Sequence, residues 1–234
     1  MKKLYIDCTN GVCSDMVLSA LLGLGMDVDC EAKHELEHTL NIEHSHHHDH
    51  HHDHHHHEHS HRSYKEICKI INEAPISPNA KATALEIYSV IAHAEAFVHE
   101  TTMEEVHFHE VGRPEAILNI ISIAVCLDAT GADEILCSDI HDGKGVIECS
   151  HGIIPVPVPA VMAIRDDERT KALGYTYVTE EVETELVTPS GLGILVGIGA
   201  KQAEYPQGSV IARATGYGTR DTGRGGLEIT LIEE

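Results

Sequence analysis

The sequence predicts an α+β (or α/β) fold, a mixed sheet with packed helices, carried by a single domain over residues 1–234 and interrupted by a disordered His-rich insert near residues 40–62. Three observations lead there. Short apolar runs such as Leu4-Tyr5-Ile6, Ile135-Leu136-Cys137 and Leu227-Glu228-Ile229-Thr230-Leu231 alternate with longer stretches whose apolar residues recur at helical spacing. The chain is long enough to bury a proper core without a structural metal. Its composition breaks once, between His44 and His61, where 13 of 18 residues are His and no core can form.

Taken in order, Leu4-Tyr5-Ile6 reads as a strand ending in the polar loop Asp7-Cys8-Thr9-Asn10-Gly11. Ser14 is placed to cap a helix bearing Met16, Val17, Ala20, Leu21 and Leu24, closed by Gly23 and Gly25. Asp7 stands at the carboxyl end of a strand, where α/β proteins bind ligands, and is a candidate for chemistry. Asp15 is a second candidate, although the helix dipole alone would favour a carboxylate there. In the tract that follows, His46, His47, His48, His50, His51, His52, His54, His55, His56 and His57, interleaved with Asp49, Asp53 and Glu58, can chelate nickel or copper in preference to zinc. Loose metal buffering without chemistry is the alternative use of such a tract.

Ser63 and Glu66 have capping-box spacing for a helix through Ile70 and Ile71, broken between Pro75 and Pro78. A longer helix is expected from about Asn79 to Phe97, with His93 and His99 at its surface. In Val106-His107-Phe108-His109-Glu110-Val111-Gly112, apolar and His residues alternate, so a central strand would bury Val106 and Phe108 and turn both imidazoles to the other face. His107, His109 and Glu110 then form a candidate metal or acid–base set, the alternative being a His-rich strand that borders solvent. Pro114 opens a helix that is apolar nearly all round, stopped by Gly131.

Ile135 to Ser138 reads as a strand, Val146-Ile147 as another, and the prolines at 155, 157 and 159 as an extended rail. His141, Cys149 and His151 form a second loose set of metal donors or an ordinary loop. Thr188 is placed to cap a helix with Pro189 at its first position, so Thr188, Ser190 and Gly191 are candidates to receive a phosphate at a helix start. Two further strands, Val210 to Ala214 and Leu227 to Leu231, flank Gly216-Tyr217-Gly218-Thr219-Arg220-Asp221, a glycine loop that with Arg220 is a second candidate for anion contact.

Acidic residues outnumber basic ones 38 to 16, which argues against nucleic acid and anionic membranes and favours cations as partners. Seven cysteines without a Cys-x-x-Cys pair fit reduced thiols in a cytoplasm better than a disulfide framework. No segment approaches the roughly 18 uninterrupted apolar residues of a membrane span, and Asp7 interrupts any leader-like run. No internal repeat is visible.

Asp7-Cys8…Gly11…Asp15-Met16, the His tract with His61-Arg62-Ser63-Tyr64, the 106–112 string, His151-Gly152-Ile153-Ile154-Pro155, Glu185 to Gly191 and Gly216-Tyr217-Gly218 occur in one order, and that order resembles the LarC-type nickel insertion proteins nearly end to end. The resemblance implies a lyase-type activity: nickel(II) enters a pyridinium bis-thiocarboxylate mononucleotide, bonded to two sulfurs and a ring carbon, to give the nickel-pincer cofactor. CTP would be used only with a further C-terminal nucleotide-binding domain supplied separately, since the chain ends at Glu234. In this picture His107, His109, Glu110, Asp7 and Asp15 handle metal and proton, His151 and the tract add metal ligands, and Thr188, Ser190, Gly191 and Arg220 hold the substrate. Where the family usually reads Asp-Ser-Ile-x-Asp, this chain has Glu115-Ala116-Ile117-Leu118-Asn119. A nickel-storage protein or metallochaperone without bond-forming activity is therefore the second expectation, and a homo-oligomer is compatible with either.

Overall fold

The computed structural model describes residues 1–27, 30–40, 62–149 and 152–234. In chain order these form β1 (Lys2–Asp7), α1 (Ser14–Gly23), α2 (Cys30–Leu40), β2 (Arg62–Ser63), α3 (Tyr64–Glu73), α4 (Pro78–Val98), β3 (His107–Phe108), α5 (Pro114–Thr130), β4 (Glu134–Cys137) and β5 (Ile140–Asp142). There follow β6 (Val146–Cys149), β7 (Gly152–Pro155), α6 (Pro159–Asp166), α7 (Glu168–Leu173), β8 (Tyr177–Thr179), α8 (Pro189–Gly197), β9 (Lys201–Gln202), β10 (Ser209–Gly216) and β11 (Leu227–Glu233). The expected α+β character holds. A five-stranded mixed sheet runs in the order β10-β11-β1-β4-β9, with β1, β4 and β9 parallel and β11 antiparallel to both its neighbours.

Alternation along β1 sets the layers. Leu4 and Ile6 are buried in the main core beneath the helices, while Tyr5 turns to the opposite face and meets Leu136 and Ile232. α5 fills the core with Ile117, Ile120, Ile121 and Ile123, and Gly131 ends it in the left-handed conformation at φ 59°. α8 lies against α4 because Gly193 and Gly197 present no side chain there: a Cβ on either would come within 2.6 Å of Ile91 or Ile87.

Several helix starts follow the sequence rules closely. Ser63 and Glu66 close the expected capping box, and Thr188 caps α8 by accepting from the Gly191 N–H at 3.0 Å. The expected cap at Ser14 is corrected: Cys13 occupies that position without a side-chain bond, and Ser14 is the first helical residue. The 106–112 string is corrected in its place. Its strand is the two-residue β3, paired with β2 in a separate ribbon outside the main sheet. Burial still alternates as the pattern requires, with Val106 and Phe108 inside and His107 and His109 exposed. The proline rail is split between β7, which pairs with β6 as a hairpin, and the first turn of α6 at Pro159. α2 and the α6, α7, β8 segment had no signal in the pattern reading. The insert with its histidines, and His151, lie outside the described residues.

A candidate site where two helix starts meet

The carboxyl ends of the parallel strands define the working end of the sheet. Ile6 and Cys137 are in register, as are Cys137 and Gln202, and at the same end the β10–β11 connection turns over between Gly216 and Leu227. Ligands in open α/β sheets sit at this end because the loops and helix starts collect there.

One short pairing brings α8 to α1. The Val12 N–H donates to Leu186 O at 2.9 Å and the Thr188 N–H to Val12 O at 3.1 Å. Only glycine fits beside this contact, since a Cβ on Gly191 would lie 2.1 Å from Val12 O and one on Gly11 2.2 Å from Leu186 O. From the other side a buried carboxylate clamps the same strap: Asp142 Oδ1 accepts from the N–H groups of Leu186 and Val187, each at 3.1 Å, and of Gly143 at 2.8 Å. Asp142 Oδ2 faces Arg165 at 3.3 Å, whose guanidinium lies over the Tyr177 ring. Burial nonetheless pushes the Asp142 carboxyl above its ordinary range, outweighing these donors.

The consequence is a cluster of hydroxyls at two converging helix N-termini. Thr188 Oγ1 lies 3.0 Å from Ser190 Oγ, which reaches Ser14 Oγ at 3.5 Å. Two cavities share this cluster. The first, of about 410 Å³, is lined by the β1–α1 loop, the 217–225 loop and the α8 start, including Asp15, Arg220 and Arg224. The second, of about 600 Å³, is walled by apolar side chains of α4, α5 and the β6–β7 hairpin and carries Glu95, His99, His109, Glu110, Glu148 and Cys149. Ser14, Glu185, Thr188, Ser190 and Arg220 line both.

The candidates from the sequence divide accordingly. Thr188, Ser190 and Arg220 stand at the junction, and Gly191 holds the close contact behind it. Asp15 lines the first cavity, with Oδ1 accepting from the Asn119 amide at 2.7 Å and Oδ2 from Thr219 Oγ1 at 3.2 Å. Asn119, a departure from the usual family string, thus acts as a donor to a carboxylate. His109 and Glu110 line the second cavity, on a segment that Tyr88 and Arg62 fix by donating to Val111 O and Gly112 O. His107 is apart from them, at the ribbon and near Glu66. Asp7 lines neither cavity, its Oδ1 accepting from the Thr9 N–H at 3.0 Å. Of the looser set, His141 pairs with Glu180 at 2.6 Å and Cys149 lines the second cavity. Among the described residues no three His, Cys, Asp or Glu side chains are gathered tightly enough to hold a metal.

Three further lining residues, Glu185, Glu95 and His99, are not among the sequence candidates. Glu185 is 7% exposed, sits between the cavities, and meets Arg220 at 3.2 Å; burial raises its carboxyl to about 6 against the lowering effect of that guanidinium. Its signal in the sequence is its place at the head of the Glu185 to Gly191 string, two residues before a buried Val and three before a helix cap. Glu95 and His99 share the last turns of α4, four residues apart, and the His99 and His109 rings lie 5.6 Å apart.

A family described as nickel insertion protein matches residues 4–230. A pyridinium-3,5-bisthiocarboxylic acid mononucleotide nickel insertion protein of Acetivibrio thermocellus is 40% identical over 96% of this chain and 58% of its own length. The protein of that name from Alkaliphilus metalliredigens is 37% identical over 99% of this chain and 61% of its own. A putative nickel insertion protein of Methanosarcina barkeri is 32% identical over all of this chain and 60% of its own. The chain thus spans about three fifths of the length of these relatives. No solved structure matches it. With the family match running through both loops and both helix starts of the site, the chain belongs to the nickel insertion protein family.

Proposed function

We propose that this chain takes part in inserting nickel(II) into a pyridinium-3,5-bisthiocarboxylic acid mononucleotide, the compound named for its relatives. The observation that carries the reading is the continuity of two unlike cavities through one set of side chains. The phosphate is seated by the hydroxyls of Ser14, Thr188 and Ser190 at the helix starts and by Arg220. The flat ring lies toward the apolar second cavity, where His109 and Glu110, with His99 and Glu95 close by, pass nickel to the two sulfurs. Nickel is cargo here, so donors that line a wall without forming a closed shell suit the task of giving the ion away. Asp15, fixed by Asn119 and Thr219, lies at the edge of the phosphate seat and excludes a second anion.

The test uses purified chain, nickel(II) and the nickel-free mononucleotide, with and without CTP and a separately produced C-terminal domain of a relative. The expected result is a product heavier by one nickel and lighter by the displaced protons, formed in at least one of these mixtures. Its absence from all of them overturns the proposal. The tract of 13 histidines favours a second reading, nickel storage or delivery without bond formation, which predicts retained nickel and no product in any mixture.

A further inference from the structure

Thiocarboxylates at ring positions 3 and 5 flank position 4, so an ion held by both sulfurs lies on the axis of the C4–H bond. Nickel can complete its shell there only by replacing that hydrogen. The C–H bond breaks, its electron pair becomes the nickel–carbon bond, nickel stays in the +2 state, and one proton must be taken up. No oxidant or reductant is required.

We propose, resting on the function given above, that Glu185 is the catalytic base that accepts this proton. Among the described residues its carboxylate is the one acidic group lining both cavities, where the ring must lie if the phosphate is at the helix starts and the metal donors are across the second cavity. Its position is fixed from behind: Asp142 holds the N–H groups of Leu186 and Val187, and the Val12 pairing holds Leu186 O. Burial makes it a poor resting anion, which is what a proton acceptor near neutral pH needs, and its cationic neighbour Arg220 is half exposed and shared with the phosphate seat. A phosphate that draws on Arg220 leaves the carboxylate less compensated and more ready for a proton, so substrate binding itself prepares the base. A purely structural ion pair, closing the 217–226 loop onto the body, would need none of this.

The experiment compares wild type with Glu185→Gln and Glu185→Asp, in the mixture that gives the wild type its nickel product. Gln keeps the shape, so mononucleotide binding should stay within a few-fold. The rate of nickel–carbon formation should fall about 10²–10⁴-fold, the usual contribution of a positioned base. Asp should recover part of the rate. Wild-type rate should rise with pH through the range near 6, a limb absent in Gln. Substrate deuterated at C4 should react more slowly than the protiated form in the Gln variant. If Gln forms product at the wild-type rate while binding is normal, the base role falls and the insertion function stands. If the wild type forms no product in any mixture, both fall together.

Discussion

Replacing Asp142 by Ala tests whether one buried carboxylate holds the strap that delivers Glu185, Thr188 and the start of α8. Asp142 is 2% exposed and accepts from three backbone N–H groups, with Arg165 on its other oxygen. Alanine leaves all three donors and a largely buried guanidinium without an acceptor. An orphaned buried donor costs about 1–3 kcal/mol, and removing one partner of a buried pair about 3–5 kcal/mol. These do not sum, because water entering the vacated volume satisfies some of the donors and because burial already leaves the Asp142 charge incompletely compensated. A loss of about 3–5 kcal/mol in urea unfolding is therefore expected for Asp142→Ala. Asp142→Asn keeps one oxygen for the N–H groups but sets an NH2 donor opposite Arg165, which loses both the charge and its acceptor there, so a loss of about 1–3 kcal/mol is expected. Mononucleotide affinity should fall with stability in the Ala variant, since the strap carries the proposed phosphate seat. An Ala variant destabilised by less than about 1 kcal/mol, with affinity unchanged, would refute the clamp.

Glu185→Gln should change how stability depends on pH. The folded carboxyl titrates at about 6 against an ordinary 4.5, so its contribution is full below about pH 4.5 and is lost as pH rises through 6. Relative to Gln, the wild type should lose about 2 kcal/mol between those limits, read from urea curves at several pH values; equal curves at every pH would contradict the burial argument. Gly191→Ala places a Cβ 2.1 Å from Val12 O, where backbone has to move, and should cost about 1–3 kcal/mol by thermal unfolding and weaken phosphate binding; an unperturbed variant would show that the two helix starts are not held together. Nickel titration of a variant lacking residues 44–61 should leave one class of bound nickel, held by the donors of the second cavity. His109→Ala should abolish that class and His107→Ala preserve it, because only His109 lines the second cavity; the reverse pattern would relocate the metal path.

Much of this was legible in the sequence wherever the signal was local. The capping box at Ser63, the Thr188-Pro189 helix start and the Gly131 stop are rules of backbone hydrogen bonding within a few residues, and each appears where the residues put it. Alternation around Phe108 predicts the burial correctly, yet alternation does not say which strand pairs with which, so the pattern points to a central strand where the chain forms a two-residue ribbon. The proposed phosphate seat is half visible: Thr188, Ser190 and Arg220 stand out as residue types, whereas Ser14 joins them only through the Val12 pairing, a contact across about 175 residues of chain. Glu185 shows the limit most clearly. Its proposed role rests on burial between two cavities, and burial of a single carboxylate is set by tertiary packing that no local period encodes.

The central claim is that the mononucleotide is held by its phosphate at the joined starts of α1 and α8. Calorimetric titration of the chain with the nickel-free mononucleotide, and with the same compound after removal of its phosphate, tests this directly. Charge-assisted bonds from Arg220 and the helix starts should make the phosphorylated form bind about 100-fold more tightly, an advantage that shrinks in Arg220→Ala. Equal affinity for the two forms in the wild type would contradict the account.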